Sequence, residues 1–331
     1  MPQTIAITPA ALRNEDNDIT RALKEAGYRV LTHPKMVPPT PDEQLELLKE
    51  AAGIILGPEE LPARILQQAP HLRVVSRFGV GYDNIDLAAC TELGIVATFV
   101  PDAMVEAVAD ITFGLLLAAA RRIPELDGLL KAGEWKRLAA ADVSGQTIGI
   151  VGTGRIGLAV ARRAKAFRMR LVGHDPYPNA AFTEELGGEY VPQDELLAVS
   201  DFVSLHMPAT PDTRGLFDAA RFAQMKPTAF FINAARGTLV DEAALIEALD
   251  AGQLAGAGTD VFAQEPPAPG STSMRLAQHP KVIGTPHVAS MTPLTVAKMA
   301  QAAHANLVAV LNGQRPECLC NPEVYQRGLR S

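Results

Sequence analysis

The stretch Ile148-Gly149-Ile150-Val151-Gly152-Thr153-Gly154-Arg155-Ile156-Gly157 decides the fold of this chain. An apolar run turns through three glycines into a helix-period segment, Arg155–Phe167. A second strand-like run, Arg170–His174, follows and ends at Asp175, 23 residues after Gly152. Strand, Gly-x-Gly-x-x-Gly turn, helix, strand and terminal acid together form the pattern of a dinucleotide-binding unit. Each glycine has a separate reason. Gly152 permits the tight turn, Gly154 lets a pyrophosphate approach the backbone, and Gly157 allows close packing of helix on strand. The amides near Arg155 and Ile156 then face the phosphates at the positive end of the helix.

The same alternation extends in both directions. Toward the N-terminus, Thr4–Thr8, Arg29–Thr32, Gly53–Leu56, Arg73–Ser76 and Ile95–Thr98 read as strands. Glu15–Ala26, Glu43–Ala51, Pro62–Ala69 and Leu87–Leu93 read as the helices between them. A long apolar helix runs from about Ala103 to Arg122, and Pro124 with the Gly128–Gly133 region is expected to break the pattern. Beyond the glycine turn, Phe202–Leu205, Ala229–Ile232, Gly256–Asp260 and Val282–Gly284 read as further strands. Pro192–Val199 and Asp241–Ala251 read as helices, and a last helix, Thr292–Asn312, stops at Gly313. Repeated β-α units imply parallel sheets covered on both faces by helices. Two such series make two doubly wound domains, and the cleft between them is the expected site.

Composition agrees with a globular chain of about two domains: 331 residues, 47% hydrophobic and 20% charged. The net charge of −7 gives no electrostatic footprint for nucleic acid or an anionic membrane. Cys90, Cys318 and Cys320 are too few for a secreted disulfide framework, and no second ligand pair accompanies the last two, so no metal is expected. The N-terminus lacks a basic region followed by an apolar core, so no signal peptide is expected. The apolar stretch Ile111–Ala120 is too short to span a bilayer. A cytoplasmic protein follows as the expectation.

Three later segments carry candidate chemistry. Phe230-Phe231-Ile232-Asn233-Ala234-Ala235-Arg236-Gly237 delivers Arg236 to a strand end, where α/β ligands bind and a guanidinium can grip a carboxylate through two parallel hydrogen bonds. Gly258-Thr259-Asp260-Val261-Phe262-Ala263-Gln264-Glu265-Pro266-Pro267 carries two acids. Gly284-Thr285-Pro286-His287-Val288-Ala289-Ser290 places a histidine just past a strand. Singly, Arg236 reads equally as a surface ion pair, Glu265 as a solvated loop acid and His287 as a helix-end residue. Together they make an acid–base and anion-binding set, because a carboxylate beside an imidazole favours its charged form and fixes its tautomer. Among the other six histidines only His206 has a partly similar setting.

With these motifs in order, the chain resembles the D-isomer-specific 2-hydroxyacid dehydrogenases over essentially its whole length. The resemblance rests on Val75–Asp86, Gly152–Gly157, Leu205–Thr213, Asn233–Gly237, Asp260–Pro266 and Thr285–Ser290. It implies a flavodoxin-like substrate domain, residues 1–101 plus 292–331, and a Rossmann NAD-binding domain, residues 102–291. It also implies that Arg236, Glu265 and His287 are the catalytic set and that the Val80 and Gly81 amides hold the substrate carboxylate. Met207, Pro208, Thr213, Ala234, Asp260 and Ser290 would lie around the nicotinamide or ribose of a bound NAD. The substrate would be a small 2-hydroxy or 2-keto acid, and the long helix with the arm around Trp135 would form a homodimer interface. Trp135 then either reaches the partner's site or is a plain interface residue.

Departures from the family pattern bear on the substrate. Many relatives have Asn where Met104 stands and Glu where Asp110 stands. Arg77 would face a distal phosphate or make an ion pair. With the sequence running to Ser331, the regulatory domain of the longer phosphoglycerate dehydrogenases is not expected. Phe78-Gly79-Val80 replaces the lysine-bearing turn of phosphite dehydrogenases. Asp175 would hydrogen-bond the cofactor ribose and repel a 2′-phosphate, and Pro176 and Tyr177 follow it rather than a basic residue. NAD is therefore expected over NADP. A non-catalytic, NAD-sensing corepressor on the same fold is the competing expectation, and it predicts loss of the acid–base residues.

Overall fold

A computed structural model describes residues 2–14, 16–35 and 37–330. Glu15, the expected start of the first helix, and the terminal residues Met1 and Ser331 lie outside them. The chain divides into two compact units, Met1–Met104 with Met291–Ser331, and Val105–Ser290.

The first unit is built on five strands: β1 (Thr4–Ile7), β2 (Arg29–Thr32), β3 (Ala51–Leu56), β4 (Val74–Arg77) and β5 (Val96–Thr98). They run in the order β2-β1-β3-β4-β5, and every pairing is parallel. That is the flavodoxin-like doubly wound order. β1 and β3 are buried along their whole length, as strands covered on both faces must be, so they read as continuous apolar runs rather than alternating ones. β2 is the edge and is more open. Asn17, Thr40 and Asp86 cap the helices Asp18–Glu25, Pro41–Leu48 and Leu87–Glu92 through their side-chain oxygens, which fixes where each helix begins. The helix Pro293–Leu311 is long and apolar enough to cross a membrane by length and composition. In this fold it lies on β3, β4 and β5, burying Met299, Ala300, Ala303, Leu307, Val310 and Leu311.

The second unit has seven strands: β6 (Thr147–Val151), β7 (Arg170–His174), β8 (Glu189–Tyr190), β9 (Phe202–Leu205), β10 (Phe230–Asn233), β11 (Gly256–Thr259) and β12 (Val282–Gly284). Their order is β12-β11-β10-β9-β6-β7-β8, all parallel. This is the Rossmann order extended by one strand, and it reverses between β6 and β9. The glycine turn leaves β6 at that reversal.

Several elements differ from the expectation. Residues after Pro124 continue as a helix, Ile123–Lys131, instead of breaking. Pro124 sits in the first turn, where its missing N–H has no intrahelical partner to lose. Arg122, left-handed at φ 53°, separates this helix from the one before it. The strand β8 and the short helices Ala180–Glu184, Ala219–Phe222 and Thr272–Ala277 were not expected, being too short to show a period.

Candidate active site

Gly152 has φ +94°, and a Cβ there would lie 2.6 Å from the His206 carbonyl oxygen. A Cβ on Gly157 would lie 2.0 Å from the Gly152 carbonyl oxygen, so the helix Arg155–Ala166 starts directly against the turn. Gly154 differs: a Cβ there would meet nothing within 4 Å. The open side of the turn, bounded by the exposed Gly154 and Arg155 and the half-buried Ile156, is where a pyrophosphate meets helix N-terminal amides. The residues present therefore fit a dinucleotide. Asp175 stands just past β7. Its Oδ2 accepts from the Thr153 amide at 2.7 Å and the Thr153 hydroxyl at 3.2 Å, and its Oδ1 accepts from the Tyr177 amide at 2.8 Å. The carboxylate is thus fixed beside the turn.

Three neighbouring strands, β10, β11 and β12, lead into the other segments. Asn233, buried at the end of β10, shapes the turn that follows. Its Oδ1 accepts from the Ala235 amide at 3.0 Å and its Nδ2 donates to the Arg236 carbonyl at 2.9 Å. Arg236 is half-buried, and its Nη1 donates to the Ala235 carbonyl at 2.8 Å. After β11, Glu265 Oε1 accepts from the Phe262 amide at 2.8 Å, while Oε2 lies 2.6 Å from His287 Nδ1. The imidazole and carboxylate are 39% and 32% exposed, so the pair is open on one side. With Nδ1 committed to the carboxylate, Nε2 is the nitrogen left to exchange a proton.

His287 itself has φ 51°, a left-handed conformation that a non-glycine residue needs support to hold. Asp260 supplies it. The carboxylate is fully buried and accepts from the Thr285 hydroxyl at 2.6 Å, the Val288 amide at 2.9 Å and the Ala289 amide at 3.0 Å. The His287 amide donates to the Asp260 carbonyl at 2.8 Å. Asp260 thus folds the 285–289 loop under the histidine, a role its spacing in sequence did not reveal.

Of the remaining expected cofactor residues, Thr213 closes a turn by donating to the Pro208 carbonyl at 2.9 Å and accepting from the Thr210 amide at 2.7 Å. Met207 and Ser290 are half-buried, Pro208 is exposed and Ala234 is buried. His206 precedes this turn. Its Nε2 lies 2.8 Å from the Ser204 hydroxyl, Nδ1 has no hydrogen-bond partner among the described residues, and burial pushes the imidazole down to about 3. It is therefore a neutral ring at working pH and not an acid.

In the first unit, the segment after β4 carries Val80 and Gly81. Neither amide donates to another described residue, which leaves two adjacent donors for an anion. Gly79 stands at φ +154° with the Arg77 guanidinium against its open side. Arg77 Nη1 donates to the carbonyls of Phe78 at 2.5 Å and Leu56 at 3.4 Å, bracing this loop from within. Met104 is buried. No group of His, Cys, Asp and Glu able to hold a metal occurs among the described residues.

Residues 113–289 match the family model described as "D-isomer specific 2-hydroxyacid dehydrogenase, NAD binding domain". The chain is 41% identical over 322 residues to a glyoxylate reductase of Korarchaeum cryptofilum, covering 93% of this chain and 96% of that one. Among solved structures, a glyoxylate reductase from Paecilomyes thermophila superposes with a TM-score of 0.84 at 30% identity, covering 97% of this chain and 99% of that one. A D-lactate dehydrogenase from Aquifex aeolicus, complexed with NAD and lactic acid, superposes with a TM-score of 0.84 at 28% identity, covering 94% and 96%.

Proposed function

The chain belongs to the D-isomer-specific 2-hydroxyacid dehydrogenases, enzymes that interconvert 2-hydroxy and 2-keto acids with a nicotinamide cofactor, and we propose that it reduces a small 2-keto acid of the glyoxylate type with His287 as general acid. The observation that carries this reading is the 2.6 Å contact between His287 Nδ1 and Glu265, beside the strand end that bears Arg236. The cofactor, when bound, supplies the hydride. His287 Nε2 gives the proton to the carbonyl oxygen, and Glu265 keeps the ring in its orientation. Arg236 binds the substrate carboxylate and polarises the carbonyl. In the unit Met1–Met104 with Met291–Ser331, the Val80 and Gly81 amides are the proposed donors for an anionic substrate group, with Arg77 bracing their loop.

The glycine turn takes the pyrophosphate on the amides of Arg155, Ile156 and Gly157. Asp175 takes the adenine ribose, which favours NAD over NADP. Met207, Pro208, Thr213, Ala234 and Ser290 border the nicotinamide side, while Asp260, fully buried, acts from beneath by holding the 285–289 loop. The intact Glu265–His287 pair is what a non-catalytic sensor would have lost. We further propose a homodimer, built on the helix Val105–Ala120 and the arm beyond it, and a cytoplasmic location, which the absence of a disulfide among Cys90, Cys318 and Cys320 supports.

A panel of 2-keto acids assayed with NADH and compared by kcat/KM tests the reading. Glyoxylate or hydroxypyruvate should lead the panel. Turnover confined to branched or aromatic keto acids would overturn the substrate class, and no turnover with any of them would overturn the activity.

A further inference from the structure

Glu242 opens the helix Glu242–Asp250 and is buried, although it touches none of the groups assigned to chemistry. Its Oε1 accepts from the Ala263 amide at 2.8 Å, and its Oε2 accepts from the Ser273 hydroxyl at 2.6 Å. The Ser273 oxygen accepts in turn from the Gln264 amide at 3.1 Å. The preceding amide, of Phe262, donates to Glu265 itself. Three consecutive amides of one turn are therefore held by side chains, and two of them depend on a single buried carboxylate. The backbone on the other side is equally tight. A Cβ on Gly237 would lie 1.9 Å from the Phe262 carbonyl carbon and 2.3 Å from the Ala263 nitrogen. The turn that carries Glu265 is thus wedged between Glu242 and the residue after Arg236.

We propose that Glu242 is a positioning residue for proton transfer, setting the Glu265 carboxylate, and through it His287, by clamping the Ala263 amide directly and the Gln264 amide through Ser273. The proposal rests on the reading of Glu265 and His287 as the acid–base pair. A carboxylate is suited to this place because each oxygen can accept independently, one from the turn and one from the hydroxyl that relays to the next amide. An alanine would leave the Ala263 amide and the Ser273 hydroxyl without acceptors, and the turn would be free to shift.

The test is a double-mutant cycle between Glu242→Ala and Glu265→Ala, read by kcat for keto-acid reduction and by the NADH dissociation constant from nucleotide fluorescence. Glu242→Ala should lower kcat roughly 10- to 100-fold with NADH affinity unchanged. On the Glu265→Ala background it should lower kcat by less than about twofold, because a residue acting through another adds nothing once that other is gone. Glu242→Gln keeps an oxygen for the Ala263 amide and an amide group for the Ser273 oxygen, and should restore most of the rate. If Glu242→Ala does not fold, Ser273→Ala and Glu242→Gln are read in the same cycle. Losses that multiply, or wild-type kcat in every folded clamp variant, would overturn the positioning role while leaving Glu265 in place. Wild-type kcat in Glu265→Ala would instead overturn the acid–base reading, and the clamp with it.

Discussion

His287 holds its imidazole from a backbone conformation that side chains avoid, and Asp260 stabilises that conformation with three accepted hydrogen bonds. If Nε2 is the proton donor, His287→Ala should cost roughly 10²–10⁴ in kcat with NADH binding retained. Near wild-type turnover would refute the assignment. Arg236→Lys keeps the charge but loses the planar pair of donors, so KM for the keto acid should rise strongly and kcat fall. An unchanged KM across the substrate panel would contradict the carboxylate role. His206 makes a separate prediction about stability. Its ordinary value of 6.5 drops to about 3 because burial disfavours the charged ring. Between those values the unfolded chain binds a proton that the folded chain does not. The contribution of His206 is therefore complete above about pH 6.5 and is lost progressively as pH falls toward 3. Thermal unfolding followed from pH 7 to pH 4 should show a falling Tm, and His206→Gln, which can still reach the Ser204 hydroxyl, should flatten that slope. An identical slope in the variant would show that other groups carry the acid sensitivity.

The runs read from sequence match β2, β7, β9 and β12 to the residue and β6 from Ile148 onward; β9, buried along its length, is written as a nearly continuous apolar run because both its faces are covered. The glycine turn was legible too, because a tight turn against backbone excludes every other side chain. The helix Ile123–Lys131 was not, since proline and glycine mark a break only when they fall inside a helix and Pro124 falls in its first turn. Nor was the work of Asp260 and Glu242, because what each accepts lies at least 21 residues away in sequence. Gly154 and Gly157 separate the two uses of the turn. Gly157→Ala places a methyl against a carbonyl oxygen in a backbone that cannot yield, and should cost about 2–4 kcal/mol in a denaturant titration. Gly154→Ala meets open space in the protein and should unfold like wild type while binding NADH more weakly, since the added methyl stands where a pyrophosphate approaches. Equal stability of the two variants would break this distinction. Asp175 bears on the same turn. A 2′-phosphate beside its fixed carboxylate should disfavour NADP by at least about tenfold in kcat/KM, near 1.4 kcal/mol, and Asp175→Ala should narrow the gap. Equal efficiency with both cofactors would refute it.

At the scale of the molecule, the second unit leaves large apolar side chains exposed on and just after one helix. The helix Val105–Ala120 packs one face on β10, β11 and β12 and another on the helix Arg155–Ala166. Its two acids, Glu106 and Asp110, are both taken by Arg163, so its charges are spent on that neighbour. The next helix, Ile123–Lys131, buries no residue. Ile123 and Leu130 are 53% and 58% exposed, and Trp135, just beyond, is 80% exposed. Large apolar side chains grouped in this way mark a surface that another protein covers, and a second copy of this chain is the proposed partner. Burying one tryptophan removes on the order of 200 Å² from water, worth about 5 kcal/mol at ~25 cal/mol per Å² before association costs. Light scattering over a dilution series should therefore give the mass of two chains. Leu130→Glu and Trp135→Ala should each raise the dimer dissociation constant by tenfold or more, about 1.4 kcal/mol, without changing the far-UV spectrum. A one-chain mass for the wild type at micromolar concentration would rule out the dimer. A two-chain mass that neither substitution disturbs would place the interface on another face.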